Sequence, residues 1–335
     1  MRIALDGFGT DRAPIPEIRG ALSVLEERED IRILLVGNEH EIKRYISEYH
    51  PRLEIVHADE IVHHDDKPSD VVRTKRNSSM AVGLRLVREG EADAFVSAGN
   101  TGAVMAYALF TLGRVKGVSR PAIGALFPNT AGGRNLVLDM GANIFVSSRH
   151  LVEFALMGSA FYNAMFNKKP KVALLSVGEE EIKGGENLIN ARKTLSEIKG
   201  NFEFVGYIEG HEILSTKADV VVMDGFVGNI LLKFGESVLG VILDFMKEEV
   251  KKSPRALLGA ALMKPVFKNI KRKADFEEYG GAPLIGVNGV VIISHGRSTA
   301  RAIHNAILVA DTLKKRGLLE RIEEYMHVQT PSPSN

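Results

Sequence analysis

At 335 residues, 45% apolar and 25% charged, the chain has the size of one large domain or two ordinary ones, and its ordinary soluble composition excludes disordered, collagen-like and membrane-embedded classes. Lysine plus arginine is 43 against 42 acids, a balance that argues against nucleic acid as the main partner. The lack of cysteine excludes disulfides, thiolate metal sites and a cysteine nucleophile.

The opening Arg2-Ile3-Ala4-Leu5-Asp6 reads as a strand ending in a carboxylate rather than a signal peptide, and no apolar run reaches the roughly 18–20 residues of a bilayer span. Further strands are predicted at 31–36, 53–57, 94–97, 172–176, 202–206 and 220–223. Helical patterns fill the intervals at 15–27, 39–48, 69–88, 100–112, 149–166, 186–198 and 228–250. This alternation predicts parallel βαβ units with helices on both sheet faces. Two hairpins break the rhythm: one around Pro128-Asn129-Thr130-Ala131-Gly132-Gly133, the other around Val287-Asn288-Gly289, followed by a helix from 297 to about 316. The expectation is an α/β enzyme of the cytoplasm with a mixed, mostly parallel sheet, forming a single domain over 1–328 with room for two interleaved subdomains. Residues 329–335, rich in serine and proline, are expected to be disordered.

Chemistry is expected where strands end and glycine loops begin, because free amides and helix N-termini gather there. Asp6-Gly7-Phe8-Gly9-Thr10-Asp11 lacks the third glycine of a dinucleotide fingerprint and reads better as a turn presenting Asp6. Ser97-Ala98-Gly99-Asn100-Thr101-Gly102 offers small donors to a ligand, or equally a helix cap. Asp139-Met140-Gly141-Ala142-Asn143 carries a carboxylate and an amide, in a ligand site or an Asx turn. The loop with Gly178, Lys183 and Gly184 is not a Walker A sequence; it is either a phosphate-binding lysine among glycines or a solvated charge run. Asp224-Gly225-Phe226-Val227-Gly228-Asn229 repeats the Asp-Gly design of the first junction, and this recurrence points to a shared cleft.

His63-His64-Asp65-Asp66 reads as a solvated loop, since neighbours on an extended segment point to opposite faces. No zinc spacing occurs, so no metal is expected. His211, after Glu209-Gly210, and His295, in Ser294-His295-Gly296-Arg297, are better placed for either capping or catalysis. Charge is lopsided in one region only: residues 247–273 carry a net +7 within a basic helical insertion near 247–276. There an apolar helix opened by Ser253-Pro254 bears Leu258 and Leu262, and Pro265 ends or kinks it. It is either a core or dimer contact with a solvated basic rim, or an apolar tip that enters an anionic membrane surface.

These segments resemble the bacterial phosphate acyltransferases of phospholipid synthesis. The resemblance rests on Ile3-Ala4-Leu5-Asp6, Ser78-Ser79-Met80, Ser97-Ala98-Gly99-Asn100-Thr101-Gly102-Ala103, Asp139-Met140-Gly141-Ala142-Asn143, Asp224-Gly225-Phe226-Val227-Gly228-Asn229, Tyr279-Gly280-Gly281-Ala282-Pro283-Leu284 and Ser294-His295-Gly296-Arg297-Ser298, which run almost end to end. Three departures stand out. Arg12 replaces the family's histidine, Phe145 replaces its second acid, and the loop around Lys183 is more acidic.

The resemblance implies a three-layer α/β/α sandwich related to phosphotransacetylases and to isocitrate and isopropylmalate dehydrogenases, and a homodimer without cofactor. It implies transfer of a long-chain acyl group from acyl carrier protein to inorganic phosphate, with the acyl phosphate consumed by a glycerol-phosphate acyltransferase. Phosphate attacks the thioester directly, so the protein need only position it, offset its charge and donate to the oxyanion. The catalytic set then expected is Lys183, Asn100, Asn229, His295 and Asp224, with His295 giving a proton to the thiolate. Asp6, Ser97, Gly99, Thr101, Gly102, Asp139, Asn143, Gly178, Gly184, Glu209, Gly228 and Asn288 are expected to line the substrate site. Arg255, Lys264, Lys268, Lys271 and Arg272 are expected to meet the acidic carrier or anionic lipid. The alternatives are an acyl-coenzyme A donor or a non-catalytic scaffold.

Overall fold

The computed structural model describes residues 1–46, 50–274 and 280–327; the side chains of residues 239 and 271–274 lie outside that description, as do the expected contacts of Lys271 and Arg272 and the tail 329–335. In the first half, β1 (Arg2–Asp6), α1 (Ile15–Glu27), β2 (Arg32–Gly37), α2 (Glu39–Lys43), β3 (Leu53–His57), α3 (Pro68–Thr74), α4 (Ser79–Arg88), β4 (Ala94–Ser97) and α5 (Thr101–Thr111) follow one another. The antiparallel pair β5 (Ala122–Pro128) and β6 (Arg134–Leu138) leads into α6 (Ser148–Phe166), β7 (Lys171–Leu175), α7 (Glu186–Glu197), β8 (Glu203–Ile208) and β9 (Val220–Val222). Then come α8 (Gly225–Lys251), α9 (Pro254–Leu262), α10 (Lys264–Ala274), the hairpin β10 (Ala282–Ile285) and β11 (Val290–Ile293), α11 (Ala300–Lys315) and α12 (Leu318–His327).

All these strands share one mixed sheet of order β3-β2-β1-β4-β11-β10-β5-β6-β9-β7-β8. Alternate strand residues feed two apolar cores. Ile3, Leu5, Val96, Leu138 and Val222 join α1, α6, α11 and α12 on one face. Ala4, Phe95, Val137 and Val221 join α4 and α5 on the other, where α8 adds, among the described residues, the partly buried Leu231 and Leu232. The result is the expected three-layer sandwich.

Three successive antiparallel pairings, β11 with β10, β10 with β5 and β5 with β6, turn the sheet over halfway across. The strands β6, β9, β7 and β8 therefore run opposite to β3, β2, β1, β4 and β11. As a consequence, the C-terminal ends of β1, β4 and β11 lie at one end of the sheet, and those of β6, β7 and β9 at the other.

α2 ends at Lys43, short of its expected 39–48, and α11 starts at Ala300 rather than 297; three further differences have visible causes. The helix expected at 69–88 is two: Ser78 Oγ accepts the Ala81 N–H to start α4, while the Tyr107 hydroxyl takes the carbonyls of Val71 and Lys75 where α3 ends. α12 was not foreseen; it follows Gly317, whose φ of 65° ends the preceding helix, and buries Leu318, Ile322 and Tyr325. α8 starts three residues early, because the Asp224 carboxylate accepts the Val227 N–H at 2.9 Å and caps it. Its 27 residues are long and apolar enough to cross a membrane by length and composition, although Lys233, Glu236 and Asp244 leave no uninterrupted apolar run of that length, as expected.

Candidate active site

The five strand–loop junctions do not meet in one cleft. They form two groups at opposite ends of the sheet, and α8 runs between them.

The first group lies past β1, β4 and β11. Asp6 is 1% exposed, and both its oxygens are taken: Oδ1 accepts the Phe8 N–H at 3.1 Å and Oδ2 the Ser97 hydroxyl at 2.6 Å. Ser97 Oγ in turn accepts the Gly99 N–H. Burial raises the Asp6 pKa, opposed by its bonds to Ser97 and Ser79. Asp6 and Ser97 therefore brace the loops beneath the site, where ligand contacts were expected. The Asn100 side chain is likewise occupied. Its Oδ1 caps α5 on the Ala103 N–H, and its Nδ2 donates to the carbonyls of His64 and Asp66. Thr101, by contrast, is exposed at the first turn of α5, with Gly102 beside it.

His295 and its neighbours close this group. His295 Nδ1 accepts the Arg297 N–H at 3.2 Å, and burial lowers its pKa while nearby Glu236 on α8 opposes the shift. The ring is thus neutral near pH 7 with its proton on Nε2, so it offers a hydrogen bond and has no spare proton for a thiolate. Asp11 donates its N–H to the Gly296 carbonyl, and its carboxylate lies 3.4 Å from His64 Nε2. His64 is exposed, as the solvated-loop reading expected, and lies beside Gly296 at the edge of this group; Lys233 and Glu236, which α8 carries towards His295, join it. Only tertiary packing reveals these three, since nothing in the local sequence links 64, 233 and 295. The N-termini of α4, α5 and α11 all follow loops of this group, with Ser78, Asn100 and Thr299 as caps. Three dipole ends favour an anion here, although the first and third amides of α4 are taken by the Glu60 carbonyl and the Ser78 hydroxyl. The hydroxyls of Thr10, Ser294 and Ser298 are buried there without a hydrogen bond inside the described chain.

The second group lies past β6, β7 and β9. Asp139 is fully buried and accepts the N–H groups of Ile123, Ala142 and Asn143 and the Asn143 Nδ2, at 2.7–3.0 Å. Burial raises its pKa against these bonds. Asn143 also donates to the Pro121 carbonyl. Both are struts that hold the loop. Gly228 permits α8 to rest on that loop: a Cβ there would sit 1.8 Å from the Asp139 carbonyl oxygen. The Asn229 side chain faces Gly141 from the exposed side of α8.

Lys183 is exposed between Gly178 and Gly184, and its acidic neighbours have other partners: Glu179 pairs with Lys217 and Glu181 with Arg192. Its loop follows β7, six strands from β4, or about 29 Å at roughly 4.8 Å per strand. Lys183 therefore cannot share one phosphate with Asn100 and Thr101 of the same chain, as the sequence reading expected. Glu209 caps the short turn Gly210–Glu212 after β8, at this same end. Asn288 is the exposed residue of the otherwise buried β10–β11 turn, a full strand length from His295, which removes it from the first group.

Over residues 1–321 the chain matches the family described as fatty acid synthesis protein. The phosphate acyltransferases of Dictyoglomus turgidum and Nitratiruptor sp. are each 44% identical to it, over 97% and 99% of this chain and of their own. The chain belongs to the phosphate acyltransferase family. The solved phosphotransacetylase of Streptococcus pyogenes is similar in fold, with a TM-score of 0.66 at 18% identity over 95% of this chain and 94% of its own. Staphylococcus aureus EutD phosphotransacetylase gives 0.61 at 16% identity over 94% of each. For a phosphate acyltransferase, the first group has what the chemistry asks: exposed donors, three helix N-termini and a neutral histidine. Of the departures from the family pattern, Arg12 is exposed beside this group, and Phe145, 85% exposed, belongs to the second. Among the described residues no cluster suited to a metal ion occurs.

Proposed function

We propose that the chain transfers a long-chain acyl group from the thioester of acyl carrier protein to inorganic phosphate, releasing acyl phosphate. The observation that carries this reading is the convergence of three helix N-termini with the Nε2–H of His295 at the end of β1, β4 and β11. Phosphate binds at the first turn of α5, held by the Thr101 hydroxyl and backbone amides, with Arg297 and Lys233 offsetting its charge. A phosphate oxygen attacks the thioester carbon, and His295 donates a hydrogen bond to the oxyanion. The carbon–sulfur bond then breaks, and the proton of monohydrogen phosphate ends on sulfur. Atoms and charge balance with no covalent enzyme intermediate. Asp224 and Asn229 belong to the second group, and Lys183 contributes to this phosphate only from a second copy of the chain.

Two copies are proposed to pair through α8. The α9–α10 segment is proposed to touch the anionic inner face of the cell membrane reversibly, in an otherwise cytoplasmic enzyme whose product feeds a glycerol-phosphate acyltransferase. Incubation with hexadecanoyl carrier protein and labelled phosphate tests the reaction. Labelled acyl phosphate is expected, with Thr101→Val raising the KM for phosphate about tenfold, the loss of one charge-assisted bond. No acyl phosphate from any thioester would refute the reading, and a preference for hexadecanoyl-coenzyme A would replace the donor.

A further inference from the structure

A groove of about 410 Å³ runs along the outer face of α4 and α5. Val72, Tyr107 and Phe110 give it an apolar floor, and Arg76, Arg85 and Arg88 line it with positive charge; no carboxylate lines it. Phe110 is 78% exposed, an unusual position for an aromatic ring on a core helix. Two guanidiniums are held in place by backbone carbonyls: Arg85 Nη2 donates to Arg76 at 2.9 Å, and Arg76 Nε donates to Arg73 at 3.2 Å. Arg88 pairs with Glu89 at 3.2 Å, both side chains being exposed. Such pre-set, forked donors around an aromatic anchor match a surface bearing carboxylates and an apolar side chain.

We propose that this groove docks the acidic helix of the protein that delivers the acyl group. The proposal rests on the carrier-borne donor reading above. Charge complementarity selects an acidic partner within a chain of net charge +1. Reach selects a tethered substrate. Phe110 and Thr101 are nine residues apart on α5, about 13 Å at 1.5 Å per residue. A phosphopantetheine arm has about fourteen bonds from its serine oxygen to sulfur, roughly 17 Å at about 1.2 Å of extension each. A carrier seated on the groove therefore brings its thioester to the first turn of α5, where phosphate is placed.

The test compares two donors, hexadecanoyl carrier protein and hexadecanoyl-pantetheine, which has the thioester but no protein. In the double variant Arg76→Glu/Arg88→Glu, both positions being exposed, the preference for the carrier-borne donor, read as the ratio of kcat/KM values, is expected to fall at least tenfold. In the parent enzyme the same ratio is expected to fall as salt rises from 50 to 300 mM. An unchanged ratio in the double variant overturns the groove, as does a tenfold fall in Lys264→Glu/Lys268→Glu with none at the arginines. Turnover of hexadecanoyl-pantetheine with none of the carrier donor in the parent instead defeats the carrier reading itself, so the two failures are told apart.

Discussion

Glu17 shows what a single buried carboxyl costs. It lies fully buried in α1, and its Oε1 accepts the Thr10 N–H at 2.7 Å, tying the loop after β1 to the helix. Burial pushes its pKa up to about 7 from 4.5, against the opposing Thr10 bond. The folded protein therefore holds a proton that the unfolded chain has released between pH 4.5 and 7, so stability falls as pH rises through that window. The loss from this group is about 3 kcal/mol at about 1.4 kcal/mol per pH unit. Urea unfolding at pH 5 and pH 8 measures it, and Glu17→Gln, which keeps an acceptor for Thr10, is expected to remove that part of the slope. An equal slope in parent and variant would mean that another group titrates. Residue types at the strand ends were legible in the sequence, but their duties were not. Asp6, Asp139, Asn100 and Asn143 look like ligand groups on paper, and the folded chain uses their oxygens and amides to hold loops. Sequence shows which groups are able to bond, whereas partners 91 residues apart, as for Ser97 and Asp6, depend on the sheet.

Among the elements, α8 is the least accounted for by the single chain. Phe226, Ile230, Phe234, Ile242 and Phe245 are each at least half exposed along one helix, at spacings of three, four and eight residues that keep them on one stripe. An apolar stripe of this length is expected to pack against its copy, the two-fold arrangement most common among oligomers. Phe234→Glu combined with Val241→Glu is expected to give a folded monomer in sedimentation equilibrium, where the parent is expected to be a dimer. A monomeric parent would count against it. Helix positions themselves were readable from periodicity, as α1 and α7 show, because one face of each meets the core. The break between α3 and α4 escaped that reading, since it depends on Tyr107 reaching from α5.

At the scale of the whole molecule, α9 and α10 follow the C-terminal end of α8, and α10 reaches β5, with Leu258 and Leu262 66% and 77% exposed and Lys264 and Lys268 exposed beside them. Reversible binding to anionic vesicles is expected, weakening with salt, and Leu258→Glu/Leu262→Glu is expected to abolish it while acyl phosphate formation in solution persists. Equal sedimentation of variant and parent with vesicles would defeat it. The two hairpins were visible as turn sequences, but the reversal they impose on the sheet emerges only when strand order is known, which is why one cleft was expected and two groups are found. That order also sets a timetable for synthesis. β11 inserts beside β4 at the centre of the sheet, yet it leaves the ribosome about 190 residues later. At roughly 5–20 residues per second, β4 waits some 10–40 s with an open edge. During that time the nascent chain presents a bare apolar strand, so its safe arrival depends on how well that edge is shielded during translation.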